Sequence, residues 1–246
     1  MTDEAPGMRI NKYLSERGLC SRREADSWVG GGRVSINGVV ATLGTKVLPG
    51  DAVKVDGRSV GGESTHVYIA LHKPVGIECT TDPRVPDNVI EFVSHHERIF
   101  PIGRLDKNSE GLLLLTNDGD IVNDLLRARH GHEKEYLVTV DRPITDDFLN
   151  AMAGGVEILD RVTAPCRVYR VSKNVFRIIL TQGLNRQIRR MCEVFGYSVR
   201  RLIRVRFVNI KLDGLALGRW RNLSRAELAQ LLPERFGQGL KRAGPP

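Results

Sequence analysis

The sequence lacks several features that would assign it to a large class of proteins at once. Its 246 residues contain only four cysteines, which are far apart and form no Cys-x-x-Cys pair. This small number excludes a disulfide scaffold and indicates reduced core thiols in a cytoplasmic protein. No apolar run approaches the roughly 20 residues that a membrane-spanning helix needs. The first seven residues are acidic and polar, which is not typical of a signal or transit peptide.

Motifs for cofactors and metals are also missing. The sequence has no Gly-x-Gly-x-x-Gly after a strand pattern, no Gly-x-x-x-x-Gly-Lys-Ser/Thr loop and no His-Glu-x-x-His. These absences disfavour dinucleotide or methyl-donor binding, nucleotide hydrolysis and zinc chemistry. His132-Glu133 and Pro165-Cys166 match the zinc deaminase signature only in part, because a second cysteine is missing after Cys166. We therefore expect no cofactor and no metal, and an enzyme with this sequence would act through side chains alone.

What the sequence does have is an excess of positive charge in two blocks. Its 37 Lys and Arg residues outnumber 29 Asp and Glu residues, so the formal net charge is +8. Residues 8–60 carry nine basic and five acidic residues, and residues 186–206 carry seven arginines and one glutamate. The guanidinium group suits phosphates and base edges. The two blocks therefore favour a nucleic acid laid across two surfaces over a merely solvated basic face.

The pattern along the chain predicts two domains. A compact module with two short helices and hairpins occupies residues 8–60, and strands mixed with single helices occupy residues 66–236. Mixed strands and scattered helices are typical of the α+β class. The predicted parts outside the domains are a disordered N-terminus at 1–7, a Gly-rich linker at 61–65 and a flexible tail at 237–246.

Local signals place individual elements. Ser21 with Glu24 forms a capping box that begins a helix in the module, and Ser224 with Glu227 forms another near the end of the chain. Asn37-Gly38 predicts a hairpin turn. The other predicted elements are strands at 67–71, 136–140, 167–171 and 175–180, helices at 119–129 and 187–195, a helix from Thr145 to Gly154, an arginine-rich strand pair at 199–212, and a last helix that Pro233 stops.

One segment indicates chemistry. Arg104, Asp106 and Lys107 lie in a predicted turn just before the apolar run at 112–115. The two cations would hold the carboxylate of Asp106 in its ionised form. An ionised carboxylate at the mouth of an apolar strand suits a nucleophile or a general base. An aspartate in an ordinary turn is the alternative interpretation of the same spacing.

This segment and others resemble the motifs of one enzyme family. Residues 103–106 (Gly-Arg-Leu-Asp), followed by Ser-Glu-Gly-Leu-Leu at 109–113, are similar to the catalytic motif of pseudouridine synthases. The preceding Phe-Pro-Ile at 100–102 is similar to the RsuA/RluB/RluE/RluF family of ribosomal RNA pseudouridine synthases. His132–Tyr136 and the basic motif at 183–191 are most similar to the RluF type. The other matching segments are 71–76 in the catalytic domain, and 9–14 with 20–25, which resemble a ribosomal-protein S-four-like RNA-binding module.

The resemblance implies a fold, a reaction and a partner. The implied fold is an S-four-like RNA-binding domain followed by a catalytic domain with a mixed, mainly antiparallel sheet. The implied reaction converts a specific uridine of 23S ribosomal RNA to pseudouridine without a cofactor, and a tRNA is a possible second substrate. RNA is the implied partner, no membrane is involved, and we expect a cytoplasmic monomer. A non-catalytic ribosome-associated RNA-binding factor and a small-subunit enzyme of the RsuA type remain the alternatives.

The resemblance also implies roles for individual residues. Asp106 is the catalytic carboxylate, as nucleophile or base, and Arg189 pairs with it. Tyr136 stacks on the target base, and Leu202 packs under the uracil. Arg104 fills the space left by the flipped base. Without the resemblance, Tyr136 and Leu202 would be interpreted as ordinary strand and core residues. The remaining predicted RNA contacts are Arg186, Gln187 and Arg190 in the basic motif, and Arg17, Arg22, Arg23 and Arg33 in the module.

Overall fold

The structure is a computed structural model that describes residues 7–61, 65–126 and 131–237. The described residues form two compact units. The first comprises the chain up to Val67 together with His96–Arg98 and Asn117–Gly119, and the second comprises the rest.

Three of the predicted segments fall largely beyond these residues. The predicted disordered N-terminus at 1–7, the linker at 61–65 and the tail at 237–246 lie outside the described residues, apart from Gly7, Gly61, Thr65 and Gly237. The end of the predicted helix at 119–129 also lies outside them, from residue 127 onward. The predicted domain bounds at 8–60 and 66–236 therefore stay predictions.

The first unit packs two helices against short antiparallel strands. Its buried core joins Ile10 and Leu14 from the first helix with Val29 from the second and Val34 and Val53 from the strands. Strands β1 and β4 pair with each other, and the other four form a sheet in the order β3-β2-β5-β6. The elements are β1 (Met8–Arg9), α1 (Ile10–Glu16), α2 (Arg22–Gly30), β2 (Val34–Ile36), β3 (Val39–Val40), β4 (Lys46–Val47), β5 (Val53–Val55) and β6 (Arg58–Ser59).

Local sequence signals explain the ends of these elements. The Ser21 hydroxyl accepts a hydrogen bond from the backbone N–H of Glu24 (3.1 Å), and the Glu24 carboxylate accepts one from the N–H of Ser21 (3.2 Å). This confirms the capping box at the start of α2. Asn37 and Gly38 both have positive φ, at 52° and 84°, as a tight hairpin between β2 and β3 requires.

The second unit is built on one large sheet. Its elements are β7 (Tyr68–Lys73), α3 (Val89–Val93), β8 (Phe100–Ile102), β9 (Glu110–Thr116), α4 (Asp120–Leu126), β10 (Lys134–Val140), α5 (Asp146–Gly154), β11 (Glu157–Ile158), β12 (Arg161–Val162), β13 (Arg167–Ser172), β14 (Val175–Leu180), α6 (Gln187–Val194), β15 (Val199–Phe207), β16 (Ile210–Lys211), β17 (Trp220–Asn222), α7 (Arg225–Leu231) and α8 (Pro233–Phe236).

The order of strands in this sheet is β13-β14-β10-β15-β9-β7-β17, with β16 on β15 and β8 on β9. Among the described strands, only β15 and β9 pair in parallel, with Ile203 opposite Glu110 and Arg204 opposite Gly111. The other pairs are antiparallel. The predicted α+β class with a mixed, mainly antiparallel sheet is therefore confirmed.

Two hydrophobic clusters cover this sheet. One joins β10 and β14 with α5 and α6, and the other joins β7 and β9 with α4 and α7. All seven residues of β9 are buried, which explains why the sequence there is a continuous apolar run rather than an alternating one. The predicted apolar strand after Asp106 is thus confirmed.

Two details differ from the sequence prediction. Pro233 does not simply follow the last helix, because it is the first residue of the short helix α8 after α7 has ended at Leu231. Proline suits this first position, where no intrahelical donor is needed.

Helix α3 was not predicted. It begins where the side chain of Asn88 accepts hydrogen bonds from the N–H groups of Ile90 (3.1 Å) and Glu91 (2.9 Å).

Candidate active site

A cleft of about 690 Å³ opens in the second unit. The loop between β8 and β9, strands β10 and β15, and the segment 180–188 supply its walls. The structure thus brings together residues that are up to about a hundred positions apart in the sequence. The predicted site residues that line it are Arg104, Asp106, Tyr136, Arg186, Gln187 and Leu202.

The backbone around Asp106 is fixed from two sides. The N–H of Gly76 donates to the carbonyl of Lys107 (2.9 Å), and the N–H of Leu105 donates to the Sγ of Cys79 (3.4 Å). Asp106 itself is half-buried at the cleft. Since its two neighbours in the chain are both tethered, the backbone that carries the Asp106 carboxylate has a defined position before any substrate arrives.

Lys73 supports this arrangement from inside the protein. Its side chain has no exposed surface, and Nζ donates to the carbonyls of Pro74 and Ile77 (2.8 Å each). Burial lowers the pKa of Lys73, and the nearby negative charge of Asp106 opposes that shift. The lysine closes the turn that presents Gly76 to the Asp106 loop, so the motif at 71–76 acts on the site through the backbone.

Arg189 lies beside the cleft rather than in it. It is 9% exposed on α6, and its guanidinium donates to the carbonyls of Asn108 (2.8 Å) and Val199 (3.3 Å). Burial lowers the pKa of Arg189, and the negative charge of Asp106 raises it. Within the described parts of the chain, no ion pair within 4 Å joins Arg189 to Asp106. The structure therefore differs from the predicted direct pairing of Arg189 with Asp106. The buried guanidinium donates instead to the backbone carbonyl of Asn108, two residues after the aspartate.

The other residues of the basic motif have separate surroundings. The side chain of Gln187 is buried and accepts a hydrogen bond from the N–H of Leu184 (3.0 Å), so it shapes the turn before α6. Arg190 donates to the carbonyl and side-chain oxygens of Asn185 (3.1 and 3.2 Å). Arg186 is exposed and has a left-handed backbone with φ of 50°. Of these three, Arg186 is the residue best placed to meet a substrate in the cleft.

Strands β10 and β15 form the opposite wall. Tyr136 lies directly across from Arg204 in the strand register, and Lys134 and Leu202 line the same cleft two residues away on each strand. Sequence reasoning identified Tyr136 and Leu202 but missed Lys134 and Arg204. The two-residue period of a strand predicts both of the missed residues. It places Lys134 on the same face of β10 as Tyr136, and Arg204 on the same face of β15 as Leu202.

Glutamates from elsewhere in the chain pair with two of the seven arginines of the second basic block. Arg201 forms a bidentate ion pair with the buried carboxylate of Glu110 (2.9 and 3.1 Å). Arg206 donates to Glu135 (2.7 Å) and Glu133 (3.0 Å). The arginine-rich run at 186–206 is therefore not one continuous basic face, as its composition suggested, because glutamates distant in sequence pair with it.

The predicted RNA contacts in the first unit also differ among themselves. Arg33 is paired with the Asp56 carboxylate, with Nε 3.0 Å from Oδ1 and Nη2 2.5 Å from Oδ2. Arg17 stacks on Tyr13, with its Cζ 3.7 Å from the ring centroid. Arg22 and Arg23 are exposed, and their side chains form no ion pair or hydrogen bond with the part of the chain that the structure describes. These two arginines are the ones free to meet a phosphate.

Residues 7–61, 65–126 and 131–237 lack two features. No group of three or more His, Cys, Asp or Glu side chains there is arranged to hold a metal ion. No helix there combines the length and the apolar character that crossing a bilayer requires.

Comparisons with known proteins agree with this architecture. The RNA pseudouridylate synthase family matches residues 67–194, and the S4 domain family matches residues 8–53. The dual-specificity RNA pseudouridine synthase RluF of Escherichia coli (strain K12) is 55% identical over 226 residues, which cover 91% of this chain and 78% of RluF. The ribosomal large subunit pseudouridine synthase B of Bacillus subtilis (strain 168) is 34% identical over 91% of this chain and 95% of its own.

A solved structure supports the same assignment. The crystal structure of a pseudouridylate synthase superposes with a TM-score of 0.67 and 26% identity, over 92% of this chain and all of the other. An S4 domain followed by a pseudouridylate synthase domain defines an RNA-modifying enzyme. The chain belongs to the RNA pseudouridylate synthase family. It is therefore an RNA isomerase, which confirms the predicted reaction class over the non-catalytic alternative.

Proposed function

We propose that this enzyme converts a specific uridine of large-subunit ribosomal RNA to pseudouridine and that a tRNA is its second substrate. The similarity to RluF, whose name gives it two specificities, supports the pair of substrates. The similarity to a Bacillus subtilis enzyme named for the ribosomal large subunit supports the first of them over a small-subunit substrate. The monomeric state and the cytoplasmic location stay predictions.

The observation that carries the assignment of the site is the placement of Asp106. Its carboxylate is at a cleft, in a loop whose backbone is tethered on both sides, and it faces the wall that holds Tyr136 and Leu202. A reacting group held in place in this way needs little reorganisation when the substrate binds. We therefore infer that Asp106 is the catalytic carboxylate.

The reaction has four parts. The bond between N1 of uracil and C1′ of ribose breaks, and its electron pair leaves with the base. The base turns, and C5 forms a new bond to C1′. The proton on C5 is then lost and N1, which kept the electron pair, gains a proton, so that the product has the same composition as the substrate. Asp106 acts either as the nucleophile or as the base that starts the first step, and both routes need it ionised.

Tyr136 and Leu202 suit the detached base. A half-buried aromatic ring and a buried aliphatic side chain on neighbouring strands form an apolar surface for a flat heterocycle. Tyr136 lines the cleft, so its phenol can lie near the C5 proton of a stacked uracil. These two residues therefore hold the base during its turn.

Arg104 and the first unit deal with the RNA around the target. Arg104 is exposed at the cleft, which suits a side chain that enters the stack as the uridine leaves it. Extrusion costs about a few kcal/mol, and stacking of a guanidinium in the gap offsets part of that. In the first unit, Arg22 and Arg23 are the residues proposed to hold the phosphate backbone.

The test of this function is tritium release from RNA labelled at C5 of uridine. Large-subunit ribosomal RNA, small-subunit ribosomal RNA and tRNA are incubated with the wild type, Asp106→Asn and the control Asp160→Asn. Asp160 is an exposed residue of the β11–β12 turn. The wild type and Asp160→Asn are expected to release tritium from large-subunit RNA and from tRNA, and Asp106→Asn from neither. Release by Asp106→Asn would refute the site, and release from small-subunit RNA alone would refute the substrate.

A further inference from the structure

Two cations, the buried Arg204 and the half-buried Lys134, line the cleft with no acid to match them. Arg204 is 3% exposed, and its Nε donates to the carbonyl of Leu112 (2.7 Å). Its two terminal nitrogens form no hydrogen bond with the described residues, although the side chain lines the cleft. The free N–H groups of this buried guanidinium are therefore directed at whatever occupies the cleft.

Lys134 is the second cation. Its Nζ donates to the carbonyl of His132 (3.2 Å) and lies 5.6 Å from the centre of the Phe207 ring. Burial lowers the pKa of Lys134, and the positive charge of Arg204 lowers it further. Across the described ranges, no carboxylate lies within 4 Å of the charged nitrogens of either residue.

Two neighbouring arginines on β15, unlike Arg204, have acidic partners. Arg201 is paired with Glu110, and Arg206 is paired with Glu133 and Glu135. Glutamates thus pair with Arg201 and Arg206, whereas Arg204 has no such partner although it is more buried than either. A buried charge without a partner is costly to the fold, so a negatively charged ligand is the natural complement of this pair.

The position of Arg204 indicates which part of the RNA substrate is the negatively charged ligand. Arg204 is opposite Tyr136 in the register and two residues from Leu202, so it lies against the apolar surface proposed for the base. Arg186, the cleft residue suited to a phosphate, is instead exposed, as is Arg104. Arg204 and Lys134 therefore meet the base and not the RNA backbone.

We propose that Arg204, with Lys134 beside it, donates hydrogen bonds to the carbonyl oxygens of the detached uracil and stabilises its negative charge. This inference rests on the proposed function of the cleft. When the N1–C1′ bond breaks, the electron pair spreads from N1 onto the two carbonyl oxygens of the ring. Donors already aimed at those oxygens act most strongly where water is excluded, so they lower the barrier to bond breakage.

The test uses a base that tolerates negative charge better than uracil. Fluorine at C5 withdraws electrons, so 5-fluorouracil leaves more easily and depends less on the protein for stabilisation. Single-turnover conversion is measured with two stem-loop RNAs that carry uridine or 5-fluorouridine at the target, by mass spectrometry of nuclease digests. Because C5 has no proton in the fluorinated RNA, that reaction reports only detachment and rejoining of the base.

The variants are Arg204→Met, Arg204→Lys, Lys134→Met and the control Arg200→Met, at an exposed arginine of β15. Loss of one donor to a developing oxyanion lowers rates by about 10²–10³. We expect Arg204→Met to lose about 100-fold with uridine RNA and at least about ten-fold less with 5-fluorouridine RNA. RNA affinity is expected to stay the same, Arg204→Lys to recover part of the loss, and Arg200→Met to match the wild type.

A purely structural role would reduce the two reactions equally, and this result would overturn the inference. If Arg204→Met does not fold, as judged by circular dichroism, the same comparison with Lys134→Met decides the question. Asp106→Asn in the same assay separates the two proposals. Turnover by Asp106→Asn would overturn the proposed site, whereas an inactive Asp106→Asn with equal losses in Arg204→Met would overturn only the role of Arg204.

Discussion

The backbones of Gly111 and Arg204 touch where β9 and β15 run in parallel. A Cβ atom placed on Gly111 would lie 2.5 Å from the backbone nitrogen of Arg204 and closer still to its carbonyl oxygen. Gly111 also has φ of +119°, a conformation that L side chains rarely adopt. The glycine five residues after Asp106 is therefore a requirement of the sheet, because it allows β9 to approach β15 this closely.

This close contact predicts that a methyl group added at position 111 destabilises the protein. Gly111→Ala is expected to lower the free energy of unfolding by about 3 kcal/mol, since it adds both backbone strain and overpacking against β15. The control is Gly154→Ala at the end of α5, where nothing lies within 4 Å of the added atom. Denaturant unfolding should show the control unchanged or more stable by up to about 1 kcal/mol. Equal stability of the two variants would mean that the strands do not approach so closely.

The surroundings of the arginines in the first unit predict how much each of them contributes to RNA affinity. Arg22→Ala with Arg23→Ala should weaken binding and reduce the slope of log affinity against log salt by about 2, because two phosphate contacts are lost. Arg33→Ala should have a smaller effect, since Asp56 already matches its charge. Filter binding of a target stem-loop between low and physiological salt measures both. A larger loss from Arg33→Ala than from the double variant would contradict this assignment.

Glu135 is the centre of an ion network on β10. It is buried and accepts hydrogen bonds from Arg206 and Arg177 at 2.7 Å each. Glu135→Gln should destabilise the protein by about 1–3 kcal/mol, less than for a fully buried pair because Arg177 is half exposed. Glu157→Gln, at an exposed position on β11, is the matched control and should be neutral. Thermal unfolding of both variants compares the two sites directly.

The ion pair between Glu227 and Arg221 predicts that the stability of the protein depends on pH. Hydrogen bonds from Arg221 hold the pKa of Glu227 down at about 2, well below the ordinary value of 4.5. A lowered folded-state pKa stabilises the protein above the unfolded-state pKa, and this contribution is lost as the pH falls from about 4.5 to about 2. NMR titration of the Glu227 carboxyl should give a midpoint far below 4.5, and Arg221→Gln should raise it. An unchanged midpoint in Arg221→Gln would assign the shift to another group.

The sequence predicts most of the local structure because the responsible signals are local. The capping boxes at Ser21 and Ser224 each need residues only three positions apart, and both are formed. The strand pair after residue 199 follows from its own composition. Pairing between distant residues leaves no such signal. The hydrogen bond from Arg189 to Asn108 and the ion pair of Arg201 with Glu110 span about 80 and 90 residues, respectively.

The same limit applies to the candidate site. The resemblance of motifs identified Asp106 and Tyr136, and the structure places both at one cleft. It did not show that Arg204 is unpaired while Arg201 is paired, since both are arginines in one basic run. That distinction depends on which face of β15 each side chain occupies and on glutamates from other strands.

The one parallel pairing among the strands that the structure describes also bears on how the site forms during folding. It joins a half made of β7, β8, β9 and β17 to a half made of β10, β13, β14 and β15. Asp106 belongs to the first half, and Tyr136 and Arg204 belong to the second. The junction joins residues about 90 positions apart, so its closure carries a large loop-entropy cost. Because Asp106 and Arg204 lie on opposite sides of this junction, we expect activity to appear on refolding only after the two halves have joined.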